Sequence, residues 1–302
     1  MINRSYIFIA LLLSVSAISS KSYGHDKPAL LEGPYLGQNL PGLTPEVFAP
    51  GFVSTEHRDG SGFFTPDMKA FYFTRRDNSS GKWSLMTFQS EDNQWRESEV
   101  GPRVGRPIFS PDGNTMHLGK KYKERTKTGW SAIKSLGSPY EEIRIMRLVS
   151  SAQGTYFLDE GTRDGNGVIR YSRLVNGKRE APKPLSKAIN TGKWNAHPFI
   201  AADESYILWD GERKRGFGDN DIYISFKQQD GSWGDAINLG DKVNTDSEEN
   251  GAYVTPDGKY LFFNRNGDIY WLDTKIIEAL RPKEQVIYNK GANLDRKCAA
   301  LN

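Results

Sequence analysis

Six polar residues, Asp59, Arg106, Arg144, Asn195, His197 and Glu249, fall at two phases of a pattern that recurs along the chain. Similar segments begin at residues 64, 109, 149, 200 and 254, and five positions before each start stand Asp59, Val104, Arg144, Asn195 and Glu249. Three positions before each start stand Ser61, Arg106, Met146, His197 and Gly251. Equivalent phases of a repeat occupy equivalent places in a repeat fold, so both sets are expected to ring one mouth of a central channel. Carboxylates, a carboxamide, guanidinium groups and an imidazole gathered there would bind a ligand or polarise a sugar. In a closed ring the first and last units are neighbours, which would bring Asp59 toward Glu249, with Asn195 and His197 on the adjoining unit. Oxygen ligands plus one imidazole suit a divalent cation, yet two carboxylates and a His do not define a coordination sphere. No metal and no cofactor is therefore expected.

Other chemistries find less support. The chain has no Gly-x-Ser-x-Gly elbow, no His-Glu-x-x-His and no Cys near a His, which removes the commonest hydrolase signatures. A glycoside hydrolase or polysaccharide lyase would draw its acid and base from Asp59, Asp159, Glu160, Asp210 and Glu249. The hydrolase version needs two carboxyl groups about 5–9.5 Å apart. Gly216-Phe-Gly-Asp-Asn-Asp221 lacks the Gly-Lys-Ser/Thr of a phosphate loop and the ligand spacing of a calcium loop, and reads as a turn. Lys120–Lys127 reads as a solvated loop, and Trp194 and Phe217 are candidates to stack on sugar rings. With 40 Lys and Arg against 37 Asp and Glu, the net charge of +3 makes no case for nucleic acid.

The elements that must carry these residues are short strands. Phe64-Thr-Pro-Asp-Met-Lys-Ala-Phe-Tyr-Phe73, Phe109-Ser-Pro-Asp-Gly-Asn-Thr-Met-His-Leu118 and Val254-Thr-Pro-Asp-Gly-Lys-Tyr-Leu-Phe-Phe263 are the best copies, with weaker ones at Ile200 and Val149. Each is a hairpin signal, an apolar strand running into a Pro-Asp turn and an aromatic strand running back. Asp67, Asp112, Asp203 and Asp257 are accordingly assigned to turn geometry. Third strands follow at Lys82–Phe88, Val168–Ser172, Asp221–Phe226 and Asp268–Leu272, and fourth strands follow turns near Trp95, Trp130 and Trp233. The starts lie 45, 40, 51 and 54 residues apart, the length of a four-stranded sheet with its turns.

Val53-Ser-Thr, Ile189-Asn-Thr and Val243-Asn-Thr each stand 11 residues before a start, without gaps. Extending that register backwards aligns Phe48-Ala-Pro-Gly51 with Ile237-Asn-Leu-Gly240, so residues near Glu46–Ala49 are expected to supply the missing outer strand of the last unit. The expected fold is all-β: a five-bladed β-propeller of four-stranded antiparallel blades over residues 43–273, closed by that N-terminal strand. A helix over Thr274–Arg281 and a tail complete residues 274–302. The 30 Gly and 15 Pro agree with a turn-rich chain. Residues 1–24, with Arg4, the apolar run Tyr6–Leu13 and small residues after it, read as a signal peptide, and 25–42 as a linker. The single Cys298 excludes intramolecular disulfides and Cys-based metal sites.

The Pro-Asp-Gly hairpins, together with His197-Pro-Phe-Ile-Ala-Ala-Asp-Glu-Ser-Tyr206 and Gly251-Ala-Tyr-Val-Thr-Pro-Asp-Gly258, resemble the WD40-like, TolB-like propeller repeat of exported bacterial proteins. The resemblance implies a periplasmic or secreted protein that acts as a binding platform for an envelope protein, a peptide or a glycan. It implies no single reaction. With no nucleic acid partner and no membrane span after signal cleavage, the expected state is a monomer.

Overall fold

The computed structural model describes residues 31–282. The signal peptide, the first part of the linker, and the tail with Cys298 lie outside the described residues. The five repeats form five antiparallel sheets around a ring. Blade one is Arg58–Phe64, Ala70–Arg76, Trp83–Glu91 and Gln94–Pro102. Blade four is Lys193–Ile200, Tyr206–Glu212, Asp221–Phe226 and Ile237–Asn238. Blade five takes Glu249–Val254, Tyr260–Arg265 and Asp268–Asp273 from the end of the chain. Its fourth strand is Glu46–Val47, which pairs with Trp271 and Tyr270. The ring thus closes with the strand expected from the register.

Blades two and three are thinner. The innermost strands are only Ile108–Phe109 and Leu148–Ser150. In blade two the fourth strand is broken into Gly129–Trp130 and Lys134–Ser135, both on the third strand. That third strand is Lys121–Thr126, so the charged stretch expected as a loop is a strand instead. Its charge is tolerated because the blade's outer half is exposed and needs little apolar cover. Part of the expected linker is also packed. Leu31–Glu32 pairs with the outer edge of blade one, and Tyr35 and Leu36 are buried. The C-terminal helix is confined to Lys275–Leu280, and among the described residues no helix is long and apolar enough to cross a membrane.

The Val/Ile-x-Thr triplets explain how neighbouring blades are joined. Val53, Ile189 and Val243 are fully buried. The middle residue of each triplet reaches the third strand of the preceding blade. Asn190 and Asn244 each accept from and donate to the backbone of one residue, Ile169 and Ile222 respectively. Ser54 makes the equivalent pair with Ile269 across the closing junction. Each side chain satisfies backbone groups at a blade edge that would otherwise be buried unpaired. The Pro-Asp turns behave as expected. In blade two Asp112 accepts from the Ser110 hydroxyl at 2.5 Å and the Asn114 amide at 3.0 Å, and these bonds hold its carboxyl below the ordinary range.

Candidate functional site

Near the ends of the innermost strands of blades one, four and five, the ladder shifts register between Gly60 and Phe63, Ala196 and Phe199, and Asn250 and Tyr253. Each bulge contains a residue with left-handed backbone: Ser61 at φ 53°, His197 at 47° and Gly251 at 69°. All three occupy the same repeat position, three before the start. A side chain from the preceding blade accepts the N–H of each. Asn264 Oδ1 takes Ser61 N at 2.9 Å, Asp159 Oδ2 takes His197 N at 2.9 Å, and Asp210 Oδ1 takes Gly251 N at 2.8 Å. Only Gly fits at 251, because a Cβ would stand 2.7 Å from the Asn264 amide and 3.0 Å from Arg147.

Arg147 occupies the axis of the ring. Its guanidinium donates to the carbonyls of His197, Gly251 and Ala252 on blades four and five, and lies 5.1 Å from the Phe63 ring centre on blade one. It is fully buried, so the channel is not an open bore at this depth. Burial, and then Arg106, push its pKa down to about 9, which leaves it charged at neutral pH.

Two cavities open beside this plug, the larger mostly polar and the smaller mostly apolar in lining, and the exposed Glu248 lines both. The larger, of about 640 Å³, is lined by Asp59 and Arg106 together with Arg58, Trp83, Arg103, Asn250 and Asn266. The smaller, of about 150 Å³, takes in Arg144, Asn195 and His197 with Asp210, Asn220 and Trp194. Five of the six residues picked out by register therefore divide between the two cavities, and Glu249 lines neither. Arg144 is exposed at the rim, and Asn195 is buried with its carbonyl accepting from the Trp209 indole at 3.2 Å.

Asp59 and Glu249 stand in matching clasps. Glu249 is fully buried and accepts from Thr245 N, Thr245 Oγ1 and Arg265 Nε at 2.9, 2.6 and 2.8 Å. Asp59 accepts from Thr55 N, Thr55 Oγ1 and Arg75 Nε at 3.0, 2.7 and 2.7 Å. Both arginines also reach a triplet carbonyl, Val53 or Val243. Blade four replaces the acid by Asn195, and Arg213 there holds Thr191 and Ile189 O. Both carboxylates are held by three protein donors each, and the exposed acids on the cavity walls are Glu56 in the larger cavity and Glu248, one residue before Glu249, in both. The remaining inner carboxylates are also committed. Asp159 takes three backbone amides, and Glu160 pairs with Arg170 at 2.7 Å.

His197 differs from the rest. Its Nδ1 lies 3.0 Å from both oxygens of Asp210, which accept, so Nδ1 carries a proton and in the neutral imidazole Nε2 presents a lone pair. The residue is 7% exposed, and Nε2 has no protein partner among the described residues while lining the smaller cavity. Asn220 Oδ1, in the same cavity, is also without a partner. In the larger cavity Arg58, Arg103 and Arg106 have no carboxylate partner among the described residues. Arg103 Cζ lies over Trp83, 4.6 Å from the ring centre. Burial pushes the Arg106 guanidinium down, opposed by Asp210 and Asp159, and its Nη1 lacks a partner. Among the described residues no cluster of His, Cys, Asp and Glu has metal-binding geometry.

Arg58, Arg103, Asp210 as the His197 partner, Arg147 and Glu248 were outside the candidate set. The available signal was the position ten residues after each start, which holds Asp159, Asp210 and Asn264 in blades three to five.

No protein-family model matches the chain, and no curated protein matches it. Solved structures similar to it include TolB from Acinetobacter baumannii, at 16% identity and a TM-score of 0.43 over 72% of this chain. The match spans 55% of TolB's own length. A gluconolactonase from Xanthomonas campestris is similar at 8% identity and a TM-score of 0.45, covering 80% of this chain and 97% of that one. An α-L-arabinofuranosidase from Podospora anserina is similar at 12% identity and a TM-score of 0.45, covering 76% and 93%. The five-bladed fold stands on the strand pairing of the chain itself.

Proposed function

We propose that this protein is an exported propeller of the TolB-like repeat kind that binds a ligand at the Arg147 end of the ring, and that the ligand is a glycan. The observation that carries the reading is His197, whose buried Nε2 has no protein partner among the described residues, in the wall of a cavity whose rim holds the exposed indole of Trp194. Native interiors rarely leave such a group unpaired, and a ligand hydroxyl supplies the missing donor. Trp194, 44% exposed and itself in left-handed backbone, offers an apolar face beside these polar groups, the combination that sugar rings use. The ring is built before the ligand arrives, so binding orders little chain. Export rests on the N-terminal sequence and places the site in the periplasm or outside the cell, where a monomer meets envelope glycans.

Calorimetric titration with a panel of neutral and acidic oligosaccharides tests the reading. Saturable binding that weakens about tenfold or more in Trp194→Ala supports it. No binding by any saccharide, with saturable binding of an envelope peptide, overturns it in favour of a protein-docking propeller.

A second reading, a polysaccharide lyase or glycoside hydrolase, is favoured by the His197–Asp210 pair. A carboxylate that fixes the tautomer and leaves Nε2 free is an arrangement suited to a general base. The saturated clasps of Asp59 and Glu249 speak against these two as its acid and base. Product formation from an oligosaccharide, lost in His197→Gln with binding retained, would establish it.

A further inference from the structure

We propose that the larger cavity recognises carboxylate groups, so that the ligand is an oligosaccharide of uronic acids rather than a neutral glycan. The inference rests on the glycan reading above and narrows it. Arg58, Arg103 and Arg106 converge on one cavity of about 640 Å³, within the ~300–1,000 Å³ usual for small-molecule sites. Arg75 and Arg265 have carboxylates, Asp59 and Glu249, and Arg147 and Arg213 are held by backbone carbonyls, whereas no such bond is made by the side chains of Arg58, Arg103 and Arg106 among the described residues. These three are left without a carboxylate, although Arg106 is substantially enclosed and Arg103 and Arg106 repel each other. Unpaired cations held close together cost stability, and an arriving anion would remove that cost.

The geometry favours carboxylates spaced along a sugar chain. Arg103 packs its guanidinium over the Trp83 ring, and its planar fork of donors matches the two oxygens of a carboxylate. Asn250 and Asn266 supply amides suited to sugar hydroxyls in the same wall. Glu56, Asp59 and Glu248 line the same cavity, but Asp59 is already paired with Arg75, so the three arginines outnumber the two acids left without an arginine partner there.

Titration with trigalacturonate, a neutral trisaccharide, glucose 6-phosphate and inorganic phosphate tests the proposal. Trigalacturonate is expected to bind at least tenfold more tightly than the neutral trisaccharide, with affinity falling as salt is added. Arg106→Gln is expected to weaken it about tenfold to hundredfold, the size of a lost charge-assisted hydrogen bond. The same variant should melt no lower than the parent, because it removes an unpaired cation. Equal binding of the neutral trisaccharide overturns the proposal and leaves the glycan reading standing. Binding of phosphate or glucose 6-phosphate in preference to trigalacturonate overturns it too, as does a lowered Tm in Arg106→Gln. Failure of every saccharide, or preference for an acidic peptide, removes both readings.

Discussion

Replacing Glu249 by Ala separates a structural carboxylate from a chemical one. In the structure the Glu249 carboxylate is fully buried and holds three donors, while the Arg265 side chain it pairs with is 14% exposed. Removing the acid leaves an enclosed guanidinium and two Thr245 donors without acceptors, a loss of roughly 3–5 kcal/mol by comparison with other broken buried pairs. For a domain of this size each kcal/mol lowers Tm by ~2–4 °C, so the expected drop is about 6–20 °C. Asp59→Ala should cost less, for two reasons. Arg75 keeps a second carboxylate, Glu97, at 2.9 Å, and Asp268, whose carboxyl is pushed up by burial and by Asp59, loses a like-charged neighbour. Scanning calorimetry of both variants, with Glu249→Leu/Arg265→Met as the paired apolar replacement, measures the order. The double variant should recover part of the loss. An unchanged Tm in Glu249→Ala accompanied by loss of ligand binding would refute the clasp and return Glu249 to the chemistry of the site.

Two further outcomes follow from buried groups elsewhere. His117 is 1% exposed, with Nε2 3.1 Å from the Ser150 hydroxyl, and burial followed by Arg179 pushes its pKa down to about 4. The unfolded chain takes up that proton near the ordinary ~6.5, so stability is complete above that value and falls as pH drops toward 4, by ~2 kcal/mol between about pH 7.5 and pH 5. Urea denaturation of His117→Phe should lack this component, and an identical pH slope in both proteins would refute it. Phe48, just past the closing strand, is fully buried with ring centres of Phe262 and Trp271 at 4.8 and 5.0 Å. Phe48→Ala should lose about 3–5 kcal/mol in the same assay, and a loss below ~1 kcal/mol would mean that the closing strand contributes little to the ring.

The blades were legible because their signals are local. A Pro-Asp turn, an aromatic return strand and an ungapped triplet 11 residues upstream each lie within a few turns of one chain segment. Even the closing strand could be read, since Phe48-Ala-Pro-Gly51 repeats the phase of Ile237-Asn-Leu-Gly240. The facing of the site residues was not legible in the same way. Counting back by fixed phase assumes a regular strand, whereas the bulges at Ser61, His197 and Gly251 put a left-handed residue at one of the two phases that were counted. A one-residue change of facing exchanges Glu249 for Glu248 at the cavity wall. Blade two misled for a different reason: its third strand is half-exposed and charged, so alternation does not separate it from a loop.

The same bulges connect the construction of the ring to its chemistry. A non-Gly residue in left-handed backbone is strained, and here the strain is borne at the inner end of the blade, where the preceding blade supplies an acceptor for its N–H. Asp210 illustrates the double use. One of its oxygens fixes the Gly251 amide on blade five, and both lie against His197 Nδ1 on blade four. The carboxylate that locks two blades together therefore also orients the imidazole, whose buried Nε2 has no protein partner among the described residues. A purely structural ring has no need of the imidazole, because Ser61 and Gly251 fill the equivalent positions without one. The exception at blade four, beside Trp194 and across Glu248 from the three arginines, is where the repeat departs from its own pattern.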